Sequence, residues 1–353
     1  MREMPGLYLH TSNRLETLLE DLADVVGKPL PFILQRETIV VQNLGMGRWL
    51  SLQLAKQQGI CANVQFPFPR RFLSDVFRVA LPETPEGKHF DPKIMTWRLM
   101  HVLPQMVETP EFEAVRNYVN GERPGLKRFQ LASKIADAFN QYIAFRPQMI
   151  LDWDAGKENH WQAILWRELI RQTQGLHQPA LGRKLVETLK DGGAVLKQLP
   201  SRVSIFGIST LPKFYLELME ALSGYVEVRL FVMEPTPHWW QDIVSAREEG
   251  KILKAEPNRT AEDLHLERGN TLLASMGKLG RDFLGFVADL DSAIHGEHFI
   301  EPRGDTMLSS IQGDIFELRD PTQKRRCPQT TGRFRCTHAT ARCVKLRCCM
   351  ISC

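Results

Sequence analysis

The β-branched run Thr38 to Val41 is followed by Asn43, Gly45 and Gly47, and then by Met46, Trp49, Leu50 and Leu54 at helical spacing. Strand, glycine loop, helix is the order in which backbone N–H groups at a helix N-terminus cradle phosphates. The ligands such a loop needs are missing. Where G-x-x-x-x-G-K-[ST] supplies a lysine for the β/γ-phosphates and a hydroxyl for Mg²⁺, Arg48 and Trp49 follow Gly47. The expectation is a loop from Asn43 to Gly47 without ATP chemistry. An ordinary strand-to-helix turn needs no ligand at all, and an active P-loop nucleotide hydrolase is the competing functional class.

A second set of polar side chains lies in RFQLASKIADAFNQYIAFRP. Phe129, Ala132, Ile135, Phe139 and Tyr142 form one helical stripe, Lys134, Asp137, Asn140 and Gln141 another, and the helix should stop before Pro147. A solvated face explains the polar stripe without a ligand. His238, Trp239 and Trp240 can stack on bases, and a buried aromatic cluster accounts for them equally well. No carboxylate cluster with a lysine and no nucleophile–base pair stands out, so no catalytic site is expected.

The elements that must position these residues alternate. GLYLHTS reads as a short strand, and Ser12 or Asn13 can cap a helix carrying Leu15, Leu18, Leu19, Leu22 and Val26 at helical spacing. Pro82, Pro85, Gly87 and Pro92 punctuate the chain, and the pattern to about residue 195 is mostly helical. VSIFG, then LPKFYLELMEALSGY, then VEVRLFVME reads as strand, helix, strand, a βαβ unit that calls for a parallel sheet. Gly207 to Pro212 would then lie at the carboxyl end of a strand, where open α/β sheets bind ligands. The expected organisation is an α/β domain in two parts, 1–80 and 196–323, with a helical insertion at 81–195 and a separate tail at 324–353.

That tail dominates the charge. The chain has 353 residues and a net charge of +4, yet residues 324–353 hold eight Lys/Arg and no acid, so residues 1–323 carry 37 Lys/Arg against 41 Asp/Glu. The basic surplus that marks phosphate binding is therefore absent from the body as a whole. Six of seven cysteines also lie in residues 327–353, leaving Cys61 in the body, which suits a reducing compartment. A hydrophobic fraction of 43% with 24% charged residues excludes disorder and collagen-like repeats. With no run of eighteen apolar residues and no secretory leader pattern, the expectation is a cytoplasmic protein with no membrane partner.

Cys336, His338 and Cys343 superficially offer zinc ligands, but paired C-x2-C knuckles are lacking, and no metal is expected. A slipped reading frame near codon 326 accounts for more. With permitted codons the alternative frame reads MPPDDGSVSVHACHSPLREVEVLHDQL, which has the charge balance and apolar alternation of folded protein. The tail is expected to be out of frame, disordered and dispensable.

LHTSNRLETLL, IVVQNLGMGRWLSLQL, GICANVQFPFPRRF, KIMTWRLMHVLPQM, RFQLASKIADAFNQYIAFRP, RVSIFGISTLP and NTLLASMGKLGRDFLGFVADLDS run in one order over nearly all of residues 5–323. Together they resemble the RecC subunit family (gamma chain) of the RecBCD enzyme, exodeoxyribonuclease V, over roughly its amino-terminal third. The resemblance implies a superfamily 1 helicase-like fold with degenerate ATPase motifs, partners RecB and RecD that use the ATP and Mg²⁺, and a channel in which the 3′-ended strand is scanned for Chi. It implies a DNA-scanning surface at Gln42, Leu44 and Arg48, at Phe68 in the strand-like VQFPFP and Ser74 after it, and at Asp137, Ala138, Asn140, Gln141, Arg146 and Arg183. Of these, Gln42, Asp137, Gln141, Arg146 and Arg183 keep the family's residue types and the other six depart from its best-known version. The HACHSPLREVEVLHD of the alternative frame looks like the family's continuation, which makes the chain a truncated fragment. A nonfunctional pseudogene product is the remaining alternative.

Overall fold

The computed structural model describes residues 5–320, apart from 33, 85–86, 172, 174, 192–197, 265, 268, 292 and 304–305; the expectations for the basic, cysteine-rich tail lie outside the described residues. Six strands form one sheet: β1 (Gly6–Ser12), β2 (Glu37–Val41), β3 (Val64–Gln65), β4 (Arg202–Phe206), β5 (Glu227–Met233) and β6 (Ala293–Glu297). Their order is β3-β2-β4-β5-β1-β6 and every pairing is parallel. The register sets Thr38 beside Val203, Val41 beside Phe206 and Leu9 beside Leu230. This is the α/β architecture with a parallel sheet that the alternation of elements calls for.

All five residues of β2 and all five of β4 are buried, as they must be when helices cover both faces. Alternate residues divide between two cores. Ile39 and Val41 of β2 face α1 (Leu15–Val26) and α2 (Leu44–Gln58), sharing a core with Leu18, Leu22, Leu50 and Leu54. Val40 faces the opposite side, where α3 (Pro69–Ala80) and the helix following β4 supply Phe72, Val76, Phe214 and Leu218.

Between β3 and β4 the chain is helical. After α3 come α4 (Pro92–Met106), α5 (Glu113–Val119), α6 (Pro124–Phe145), α7 (Pro147–Asp154), α8 (Trp161–Arg171) and α9 (Gln178–Asp191). Prolines mark both ends of α6: Pro124 takes its first turn, and Pro147 opens α7 with Arg146 between them. Phe139 of α6 meets Trp153 and Trp166 edge-on, with ring centroids 6.0 and 5.4 Å apart, at the centre of a separate core. The indole N–H groups are satisfied by carboxylates, Trp153 to Glu158 and Trp166 to Asp154, each at 2.8 Å. The remaining helices are α10 (Lys213–Ser223), α11 (Ala246–Ala255), α12 (Thr271–Met276), α13 (Lys278–Ala288) and α14 (Met307–Phe316).

Three local expectations are corrected. The loop expected from Asn43 to Gly47 is the first turn of α2, because the Asn43 side chain accepts the Met46 N–H at 2.9 Å and starts the helix at once. The cap of α1 is Arg14 rather than Ser12 or Asn13: the Ser12 hydroxyl accepts the Arg14 N–H, and Asn13 reaches across to the backbone of Ile300. The strand-like VQFPFP is a strand only at Val64–Gln65, since Pro67 and Pro69 cannot donate to a ladder, and Phe68 stands at the N-cap of α3.

Candidate nucleic-acid interface

The carboxyl end of β2 gathers four of the expected residues. Gln42 follows the strand directly, and Leu44 and Arg48 stand one turn apart on the same exposed face of α2. Phe68 is brought alongside because the Val41 N–H donates to Pro67 O at 3.0 Å. Leu44 is 78% exposed and Phe68 41%, so both present apolar surface to solvent. Gly47 belongs to packing: an added Cβ would stand 3.1 Å from the Phe66 Cβ, so a larger residue would push that side chain back by a few tenths of an ångström. Ser74 is half-buried on α3 and its hydroxyl donates to Arg70 O.

The neighbouring carboxyl end of β4 is closed. Gly207 has φ +62°, and a Cβ on it would meet Met46 Cε at 3.3 Å and Leu15 Cδ2 at 3.6 Å. Those two side chains occupy the crevice where an open sheet would receive a ligand. Further along the same edge, burial pushes the Glu234 carboxyl up to about 7; the Trp240 indole N–H opposes the shift and the Glu297 charge adds to it. Trp240 is thus a core residue, 2% exposed with its N–H on Glu234, whereas Trp239 is 60% exposed and donates to Asp242. The aromatic pair of the sequence divides between core and surface.

A second group lies on α6. Asp137 and Gln141 are exposed one turn apart, Ala138 and Asn140 are half-buried, and Arg146 caps the helix with its guanidinium 5.8 Å from the Tyr142 ring centroid. α6 packs against α9 and α10, so this face belongs to the helical layer rather than to the sheet. Arg183 stands on α9, one of the helices packed against α6. It lines a cavity of about 680 Å³ together with Arg171, Lys184 and His177. His177 is structural there: its Nδ1 accepts the Ala180 N–H at the start of α9, so it donates from Nε2 to Asp154, 2.8 Å away.

The family described as "RecC, N-terminal domain" matches residues 7–318. The chain belongs to the RecC family. It is 36% identical to the RecBCD enzyme subunit RecC of Escherichia coli over 89% of this chain and 31% of that protein. With the same subunit of Haemophilus influenzae the figures are 31% identity, 88% and 33%, and with that of Mycolicibacterium smegmatis 27%, 88% and 28%. The chain therefore spans about a third of the length of these relatives.

Within this RecC-type domain the surface residues that the sequence reading missed are Arg171 and Lys184 beside Arg183, and Trp97 on α4. Trp97 and Lys93, four residues apart, carry a helical-spacing signal that a search confined to alternating elements passes over. Among the described residues no group of three or more His, Cys, Asp and Glu could hold a metal ion, and no helix is long and apolar enough to cross a membrane.

Proposed function

We propose that this domain guides and reads unpaired DNA without catalysing a reaction, as part of a RecBCD-type helicase–nuclease in recombinational repair. RecB and RecD would supply motor and nuclease and use the ATP and Mg²⁺, and the domain itself would be a superfamily 1 helicase-like fold whose ATPase motifs have decayed. The observation that carries the reading is the exposed set Gln42, Leu44, Arg48 and Phe68 at the carboxyl end of β2, in a chain that belongs to the RecC family. Amides and a guanidinium contact base edges, and an exposed ring offers a stacking surface. Asp137, Ala138, Asn140, Gln141, Arg146, Ser74 and Arg183 would extend the path over the helical layer. On this reading the division of labour is a sheet domain, 1–80 and 196–323, holding one wall and a helical insertion, 81–195, holding the other.

Loss of ATP chemistry has its own support. Only Gln42 and Asn43 separate β2 from α2, and the Asn43 side chain already takes an N–H that a phosphate would need. The purified chain should show no saturable Mg²⁺-dependent binding of a fluorescent ATP analogue.

The deciding experiment is Arg48→Ala in a complex assembled with RecB and RecD, scored by where degradation switches on plasmids bearing variant octamers. A base reader lost at this position should cost about 1–3 kcal/mol of discrimination among Chi-like sequences. An unchanged octamer preference with uniformly slower unwinding would make Arg48 a backbone contact and remove it from the reading surface.

A further inference from the structure

Trp97 of α4 and Phe129 of α6 form a ring pair on the outside of the helical layer, centroids 5.6 Å apart and planes inclined by 47°. Trp97 is 66% exposed and Phe129 40%. Helical spacing puts Phe129 on one stripe with Ala132, Ile135, Phe139 and Tyr142, but the residues of α6 that are buried are Ala132, Ile135, Ala136, Phe139 and Ile143. Neither ring is part of the helical core.

Its electrostatic surroundings differ from those of the body. Residues 1–323 are net acidic, yet α4 and α6, which pack against each other, contain Lys93, Arg98, Lys127, Arg128 and Lys134 against one carboxylate, Asp137. Arg98 turns inward to Leu169 O at 2.8 Å, and burial lowers its pKa. Lys93, one turn from Trp97, stands exposed; Lys127, its ammonium over the Tyr118 ring, and Arg128 precede Phe129 and are half-buried, and Lys134 is exposed on the polar stripe of α6 with Asp137. Exposed rings interleaved with cations are the composition of a single-strand nucleic-acid groove, where rings stack on bases and cations follow phosphates.

We propose that Trp97 and Phe129 are a base-stacking platform for unpaired DNA, at the amino-terminal half of the same helix that presents Asp137 and Gln141. This rests on the reading of the domain as a guide for unpaired DNA and extends its path by about two turns of α6. The chemistry recognised is a base face with its phosphate, without regard to base identity, since every base has a stackable face. An apolar protein partner would suit Ile94 and Leu126 nearby, but four surface cations and one acid favour a polyanion.

The test is fluorescence anisotropy of a labelled oligo(dT) of about twenty nucleotides with the full 353-residue chain, set beside co-purification with RecB and RecD. Trp97→Ala with Phe129→Ala should weaken oligo(dT) binding at least about fivefold with an unchanged salt slope, and Trp97→Phe should restore most of it. Lys93→Gln with Lys134→Gln should instead flatten the salt slope. Because both rings are exposed, circular dichroism of every variant should match the parent. Binding by the aromatic double variant equal to the parent's overturns the platform while leaving the guiding function in place. Retained DNA affinity with lost co-purification overturns it in favour of a protein-docking face. No oligo(dT) binding by the parent chain, even at low salt, removes the guiding function and the platform together.

Discussion

Arg202 and Glu37 face each other across β4 and β2, joined by two hydrogen bonds of 3.0 and 2.6 Å, with both side chains less than a tenth exposed. Arg202 also donates to Lys28 O. Removing one partner strands a buried charge, so Arg202→Ala should cost about 3–5 kcal/mol in urea unfolding, whereas Arg202→Met with Glu37→Leu should cost far less. Glu234 acts in the opposite sense. Its folded pKa of about 7 lies above the ordinary 4.5, so the folded state binds the extra proton and stability falls as pH rises from about 4.5 to about 7. Glu234→Gln should flatten that part of the stability profile and gain about 2 kcal/mol at pH 8, read from urea midpoints against pH.

At the scale of elements, α9 and α10 approach so closely at Gly182 that an added Cβ would overlap the Phe214 ring. Gly182→Ala should separate the two helices and cost about 1–3 kcal/mol, seen as a lower thermal midpoint. Elements built on a strong period were legible in the sequence. The run Thr38–Val41 gave the body of β2, the spacing of Leu15 to Val26 gave α1, and the VSIFG and VEVRLFVME runs gave β4 and β5. What escaped depends on contacts that no local pattern encodes. Gly45 and Gly47 resemble a flexible loop until Asn43 caps the helix and Phe66 fills the space beside Gly47. Of the site, the cluster at the end of β2 follows from strand-to-helix order. The Trp97–Phe129 pair does not, because it needs α4 and α6 side by side.

At the scale of the molecule the described residues form three hydrophobic cores, two against the sheet faces and one among α4 to α8 with its own aromatic centre. Phe139→Ala should lower hydrogen-exchange protection across residues 90–170 first and spare β4 and β5, since local opening follows such packed units. The order of strands carries a consequence for how the chain is made. Among the described residues β1 is the first strand and its ladder partners are β5 and β6, so residues 6–12 find no strand neighbour until residues 227–297 exist. At about 5–20 residues per second, synthesis leaves that strand waiting on the order of ten seconds to a minute. The interior helices have the apolar partners of their core by residue 169 and the His177 ring that packs on Trp166 shortly after, and so can assemble first. Residues 6–12, made before the rest of the described domain, are among the last of it to find their place.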